Sequence, residues 1–265
     1  MATLLLLLIL QFGSGPASLA LAPSSTAPIS EPQPVQELLD QAFEATQSGK
    51  FGQAEDYWTA ILDQFPNNPA AWSNRGNLKV SQNKLTEAIP DYNRAIELAP
   101  NVPDPYINRG IAYEGLKQWQ RAIADYNRAI ELDLKDADAY NNRGNAEAGS
   151  GNWLAAIEDY QKASELNPNF SLARANYALA LYQSGQKDQA IRDLKNIVRK
   201  YPNFADVRAA LAACLWVSGQ QGQAESNWVA VIGLDARYRD LDWVRQIRRW
   251  PPAVADALES FLSLN

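Results

Sequence analysis

Small, bulky and turn-forming residues recur along most of the chain at one interval. Steps of 34 residues from Val35 give six successive starts, Val35, Pro69, Pro103, Ala137, Ser171 and Ala205, with no insertion between them. At the eighth place of each unit stand Ala42, Gly76, Gly110, Gly144, Ala178 and Ala212, all small enough to let two helices approach closely. The twentieth place is alanine throughout (Ala54, Ala88, Ala122, Ala156, Ala190, Ala224), and the twenty-fourth holds Trp58, Tyr92, Tyr126, Tyr160, Leu194 and Trp228. These bulky groups fill the room that the small ones leave. The fifteenth place holds Gly49, Asn83, Lys117, Gly151, Gly185 and Gly219, and five of these six tolerate the left-handed conformation that ends a helix. Pro66, Pro100, Pro168 and Pro202 stand near the ends of four units, with Leu134 and Ala236 as departures. Proline there stops a helix from running on. The pattern predicts a helix, a turn and a second helix in each unit, over residues 35–238. Pro90, inside the second helix of the second unit, is expected to kink or loosen it by removing the hydrogen bond to Thr86.

This pattern resembles the tetratricopeptide repeat family, whose unit of about 34 residues has small residues at two helix contacts and proline near its end. The resemblance implies an all-α, right-handed superhelical solenoid of six helix-turn-helix units. At the fourth place, where the family often has tryptophan, stand Leu38, Trp72, Tyr106, Tyr140, Arg174 and Arg208, so the outer units diverge most. End repeats are exposed on one side and are expected to differ. Beyond the last unit, "DLDWVRQIRRW" places Trp243, Val244, Ile247 and Trp250 on one helical face and Arg245, Arg248 and Arg249 on the other. After Pro251-Pro252, "AVADALESFL" repeats the arrangement with Val254, Leu258, Phe261 and Leu262. Both segments, within residues 239–265, are expected to be helices capping the open end of the stack. The alternative is that the Arg/Trp helix meets acidic lipid or an acidic partner.

The triplet Asn-Arg-Gly recurs at residues 74–76, 108–110 and 142–144, in register with the repeat. Its glycine is the small residue of the helix contact. Its arginine falls between paired helices, where a charge needs a partner or water. Asp91, Asp125 and Asp159 follow Arg75, Arg109 and Arg143 by sixteen residues each time, so three Arg–Asp pairs are expected between first and second helices. The asparagine stands at the sixth place, which in this family faces the concave groove, and Asn74, Asn108, Asn142 and Asn176 hold it in four consecutive units. A primary amide both donates and accepts, so it can bond a peptide backbone without reading side chains. The four resemble the asparagine ladder of the repeat region of O-linked N-acetylglucosamine transferases, which hold extended polypeptide in that groove. Asn77, Asn145, Asp104 and Asp138 are further candidate peptide-binding positions. Ala70, Ser73 and Asn77, then Asp104, Ile107 and Ile111, then Asp138, Asn141 and Asn145 supply no cation, which excludes a carboxylate clamp of Lys and Arg. Asp104 and Asp138 favour a neutral or basic segment instead. The plain reading is that the asparagines serve helix packing or water.

Composition narrows the chemistry. The chain has no histidine and one cysteine, so Ser-His-Asp and Cys-His catalysis, HExxH metalloprotease chemistry and Cys/His zinc sites lack their parts. Cys214, in an apolar helical stretch, reads as a core residue. No catalytic residue, metal site or cofactor is assigned, and the chain is expected not to be an enzyme. A net charge of −6 argues against nucleic acid as a partner. "TLLLLLILQF", residues 3–12, followed by "GSGPASLALA" resembles a secretory signal, with residues 1–22 as signal or anchor and 23–34 as a Pro/Ser-rich linker. The first basic residue is Lys50, so an uncleaved membrane anchor at residues 3–12 is the alternative.

The expected function is non-enzymatic protein binding, as a scaffold or assembly factor that holds an extended peptide segment. The rival is a structural subunit packed permanently in a larger membrane complex. The signal-like start and the Arg/Trp/Pro-Pro tail look similar to tetratricopeptide proteins of cyanobacteria and of the chloroplast thylakoid lumen, where photosystem assembly is a common role. That likeness implies export to periplasm or lumen, with membrane contact only through an uncleaved N-terminus or a membrane-protein partner.

Overall fold

The computed structural model describes residues 34–263; the signal and nearly all of the linker lie outside them. The described residues form helical pairs at the expected places: α1 (Val35–Gln47) with α2 (Phe51–Gln64), α3 (Pro69–Ser81) with α4 (Leu85–Leu98), and α5 (Asp104–Gly115) followed by α6 (Trp119–Leu132). Then come α7 (Ala137–Gly149) with α8 (Trp153–Leu166), α9 (Ser171–Gln183) with α10 (Lys187–Lys200), and α11 (Ala205–Val217) with α12 (Gln221–Leu234). A 3-10 turn (Ala236–Arg239), a short α13 (Leu241–Gln246) and α14 (Pro252–Leu262) complete the order. The chain divides into two compact units, Met1–Ala112 and Tyr113–Asn265.

Turn chemistry explains the pairs. All six residues at the fifteenth place take positive φ, including Asn83 (61°) and Lys117 (58°). Lysine rarely adopts this conformation. At Lys117 the repeat geometry therefore overrides residue preference. At the other end of the unit, Phe65 (φ −132°) and Ala99 (φ −141°) leave the helix before Pro66 and Pro100, as steric crowding by proline requires. The fourth-place side chains then tie that bend down. Trp72 Nε1 donates to the Pro66 carbonyl (2.8 Å), Tyr106 Oη to that of Pro100 (3.1 Å) and Arg208 Nε to that of Pro202 (3.0 Å). Arg208 thus does the work of the aromatic residue it replaces.

Packing follows the small and bulky places. The six twentieth-place alanines are wholly buried, and so are or nearly are Trp58, Tyr92, Tyr126, Tyr160 and Leu194, one turn further along the same helices. In the first unit α2 packs on α1 and α3, and α4 on α3; in the second, α6 through α12 pack each on the next. A methyl group on Gly144 would stand 2.7 Å from Tyr160 Cε1, and one on Gly76 would stand 2.7 Å from Tyr92 Cε1. Both rings are buried, so neither can retreat. α4 runs as one helix through Pro90. Buried Ala88, Asp91, Tyr92 and Ala95 hold it on both sides of the missing bond.

The first tail helix is shorter than the eleven-residue amphipathic segment led one to expect. α13 ends at Gln246, Ile247 is exposed, and Trp250 is buried only after Arg249 turns into the left-handed region (φ 53°). The turn lets the Trp250 indole reach Asp206 on α11 at 2.9 Å. α14 then packs mainly on α11 and α9, the first helices of the last two repeats, and meets α12 through the Phe261 ring against Trp228.

Gly144→Ala is expected to lower stability by about 1–3 kcal/mol, the usual penalty for overpacking, measured by urea unfolding. Adding Tyr160→Leu recreates the Ala178/Leu194 combination of the fifth repeat. That double variant should regain part of the loss, and additive losses would contradict the packing account.

A candidate interaction face

Arg75 and Arg143 each bridge three helices. Arg75 grips Asp91 with two parallel bonds, Nε to Oδ2 at 3.0 Å and Nη2 to Oδ1 at 2.7 Å, while its Nη1 donates to Thr59 Oγ1 on α2 at 3.3 Å. Arg143 repeats this, with Nε and Nη2 on Asp159 at 2.8 and 2.6 Å and Nη1 on Asn127 Oδ1 of α6 at 2.7 Å. Arg109 Nη1 reaches Asn93 Oδ1 of α4 at 2.6 Å. All three arginines therefore bind the second helix of the preceding repeat, sixteen residues upstream, and Arg75 and Arg143 also bind the aspartate sixteen downstream. Two expected Arg–Asp pairs are present; Arg109 and Asp125 belong to the two different compact units, and that pair stays an expectation. Each guanidinium also lies over the fourth-place ring of its helix, at 4.7 Å for Arg75 and Trp72, 5.8 Å for Arg109 and Tyr106, and 5.4 Å for Arg143 and Tyr140. Stacking of this kind adds to the ion pairs. Lys79 adds a second cation to Asp91 at 2.7 Å.

The asparagines divide into two groups. Asn77 Oδ1 accepts from Tyr92 Oη at 2.8 Å and Asn145 Oδ1 from Tyr160 Oη at 3.0 Å, so both hold the buried tyrosines. Asn176 Nδ2 donates to Asn141 Oδ1 (3.1 Å) and Asn145 Oδ1 (3.2 Å), which ties α9 to α7. Asn74 and Asn108, half-buried in the first unit, form no side-chain hydrogen bond with another described residue. Asn142 shares that state in the second unit at 5% exposure. Asp104 and Asp138 are exposed in the first turns of α5 and α7. The Asp138 carboxyl is raised above its usual range by partial desolvation and then by Asp136.

Sequence reasoning missed two carboxylates. Asp206 is buried, and its Oδ1 accepts from Tyr238 Oη (2.7 Å), Arg248 Nε (2.8 Å) and Trp250 Nε1 (2.9 Å). Glu114 accepts from Arg249 Nη1 at 3.2 Å and Tyr126 Oη at 3.2 Å. Burial pushes its carboxyl up, and Arg249 and the Tyr126 hydroxyl pull it part of the way back. An acid at the second place of α11, the one carboxylate in a largely apolar helix, was the visible signal for Asp206. The tail arginines are engaged within the chain, Arg245 with Asp256 and Glu259, Arg248 with Asp206, and Arg249 with Glu114. That leaves little free cationic charge on this segment for acidic lipid.

Comparison with known families matches residues 76–117 and 115–151 to "TPR repeat" and residues 137–170 and 159–192 to "Tetratricopeptide repeat". Residues 76–192 thus carry tetratricopeptide repeats, and the chain has the tetratricopeptide repeat fold. Among solved structures, a tetratricopeptide repeat protein from Parabacteroides merdae is similar over 87% of this chain and 98% of its own, at TM-score 0.68 and 20% identity. MamA is similar over 63% of this chain and 91% of its own, at TM-score 0.57 and 26% identity. YrrB, described as a TPR protein with an unusual peptide-binding site, is similar over 68% and 92%, at 0.55 and 21%. No curated protein matches. Tetratricopeptide repeat proteins are in general non-enzymatic scaffolds, and this fold supports a protein-interaction role. Cys214 is buried, and burial raises its thiol far above the reactive range.

Removing one partner of a buried ion pair costs about 3–5 kcal/mol, and replacing both by apolar groups costs far less. Arg143 keeps 25% of its side chain exposed, so Arg143→Met is expected near the lower figure. Arg143→Met with Asp159→Leu should be more stable than Arg143→Met alone. A denaturation cycle with no coupling between the two positions would remove the bridge from the account.

Proposed function

We propose that this protein holds an extended segment of a partner protein on the first-helix face of its first unit, through the backbone-reading amides of Asn74 and Asn108. The observation that carries this reading is that both amides stand at the same place of successive first helices and are committed to no described neighbour. The equivalent Asn176 is committed within the fold, so the four-membered ladder narrows. Asp104 beside Asn108 favours a neutral or basic segment. YrrB, a fold neighbour, is named for a peptide-binding site, which is in keeping with a peptide ligand. Export to periplasm or thylakoid lumen forms part of this proposal and rests on residues 1–22.

A second reading is a subunit fixed in a larger assembly through its second helices. It is favoured by Leu154 on α8 and Val229 on α12, exposed at 70% and 75%.

Captured partners should be compared between the full chain and a variant carrying Asn74→Ala and Asn108→Ala, with thermal stability confirmed unchanged. A lost hydrogen bond is worth about 1 kcal/mol, so the variant should bind a captured segment about tenfold to a hundredfold more weakly. Methylation of alternate backbone nitrogens in that segment should weaken binding comparably, whereas swaps of its side chains should matter less. Unaltered affinity in the variant would point to the second-helix surface.

A further inference from the structure

The C-terminal segment lies against the first helices of the last two repeats. α14 packs on α11 and α9, and its Val254, Leu258 and Phe261 are at most 1% exposed. The core cluster that receives them is lined by Ala175 of α9 and by Ala209, Ala210 and Ala213 of α11. The seat that α14 fills between α9 and α11 forms a trough lined by these small residues together with larger apolar ones of the same cluster. Phe261 closes its end, edge-on to Trp216 (5.2 Å) and Trp228 (5.1 Å). A helix whose only role was to close the stack would cover α12. Yet α12 carries a single charged residue, Glu225, and keeps Val229 and Leu234 exposed.

The approach to the trough is held by polar contacts outside it. Asp206 anchors Tyr238, Arg248 and Trp250. Arg249, in a left-handed conformation that a non-glycine residue adopts at a cost, reaches Glu114 at the end of α5. The Ala253 amide donates to Gln183 Oε1 at the end of α9 (2.8 Å). On its outer side α14 presents Asp256 and Glu259, both bonded by Arg245.

We propose that the trough between α9 and α11 is a binding site for an acidic amphipathic helix of a partner protein, and that α14 is its built-in competitor. The partner helix carries apolar side chains at i, i+4 and i+7, as Val254, Leu258 and Phe261 do, and acids at i+2 and i+5 for Arg245. Helix-in-groove recognition reads such anchors along one face. Arg249 and Glu114 form the latch, and a partner competes by displacing α14 while α9 and α11 keep their packing. This site takes a helix, not an extended strand, and stands apart from the Asn74/Asn108 reading.

The test uses the full chain and a fluorescent peptide with the sequence of residues 251–263. A face free only part of the time binds its ligand more weakly by that fraction. The intact chain should therefore bind the peptide poorly, and Arg249→Ala and Glu114→Gln should each bind it about tenfold better. Leu258→Asp with Phe261→Asp, which expels α14, should bind it best, and a scrambled peptide should not bind. Hydrogen exchange should show α14 amides losing protection on peptide addition while α9 and α11 keep theirs. The proposal is overturned if the expelled variant keeps its helical stack and ignores the peptide. If that variant loses the stack, unchanged peptide binding in both latch variants overturns it.

Discussion

A guanidinium held between three helices sets the terms for the central repeats. An arginine at the seventh place puts a charge into a helix junction, and burying it unpaired would cost more than a small domain can spare. Asp91 and Asp159 neutralise Arg75 and Arg143 with two bonds each, and the remaining nitrogen of each guanidinium reaches back to the preceding repeat. Thr59, Asn93 and Asn127 are the three upstream acceptors. Packing within a repeat and packing between repeats are thus fixed by one side chain, whose planar fork suits several directed bonds at once. The glycine that follows it works at the same junction. By bringing the helices close it lets the tyrosine ring fill the gap, and the tyrosine hydroxyl then binds an asparagine one place beyond that glycine, as Tyr92 does with Asn77.

Much of this was legible because a repeat displays its constraints several times over. Arg75 and Asp91 alone are two charges among many, but the same sixteen-residue offset in three units identifies a pair. The upstream acceptor stood at the mirror offset and was not read. Thr59, Asn93 and Asn127 differ in type, and a neutral acceptor carries no charge signal. Lys117 shows the reverse case, a residue whose local preference opposes its conformation and yields to the fold. Period, turns and core were therefore readable from residue type, whereas the asparagines were only partly so. Nothing in the sequence separates Asn176, bonded to Asn141 and Asn145, from Asn74, because the difference lies in what the neighbouring helix presents.

The tail was least legible for a related reason. Amphipathic spacing tells which face of a helix is buried, not against what. α14 has the apolar face that the spacing predicts, and Val254, Leu258 and Phe261 are all buried. Its seat was decided by the chain before it, where Asp206 gathers three donors and Arg249 turns the backbone. No periodicity encodes such contacts, since each joins residues more than thirty positions apart in a segment that does not repeat.

One consequence concerns how the two kinds of surface differ physically. Where the repeats keep the triplet, the first helices present amides, suited to a ligand whose own backbone bonds are unsatisfied, which means an extended chain. Where the triplet lapses, α9 and α11 present alanines, which offer area and no hydrogen bonds. Only a guest that satisfies its backbone internally can lie there without stranding polar groups, and that guest is a helix. α14 is such a guest. On the two proposed readings, the change from asparagine-rich to alanine-rich first helices turns a surface for strands into one for helices, with the arginine bridges and tyrosine packing marking the repeats of the first kind.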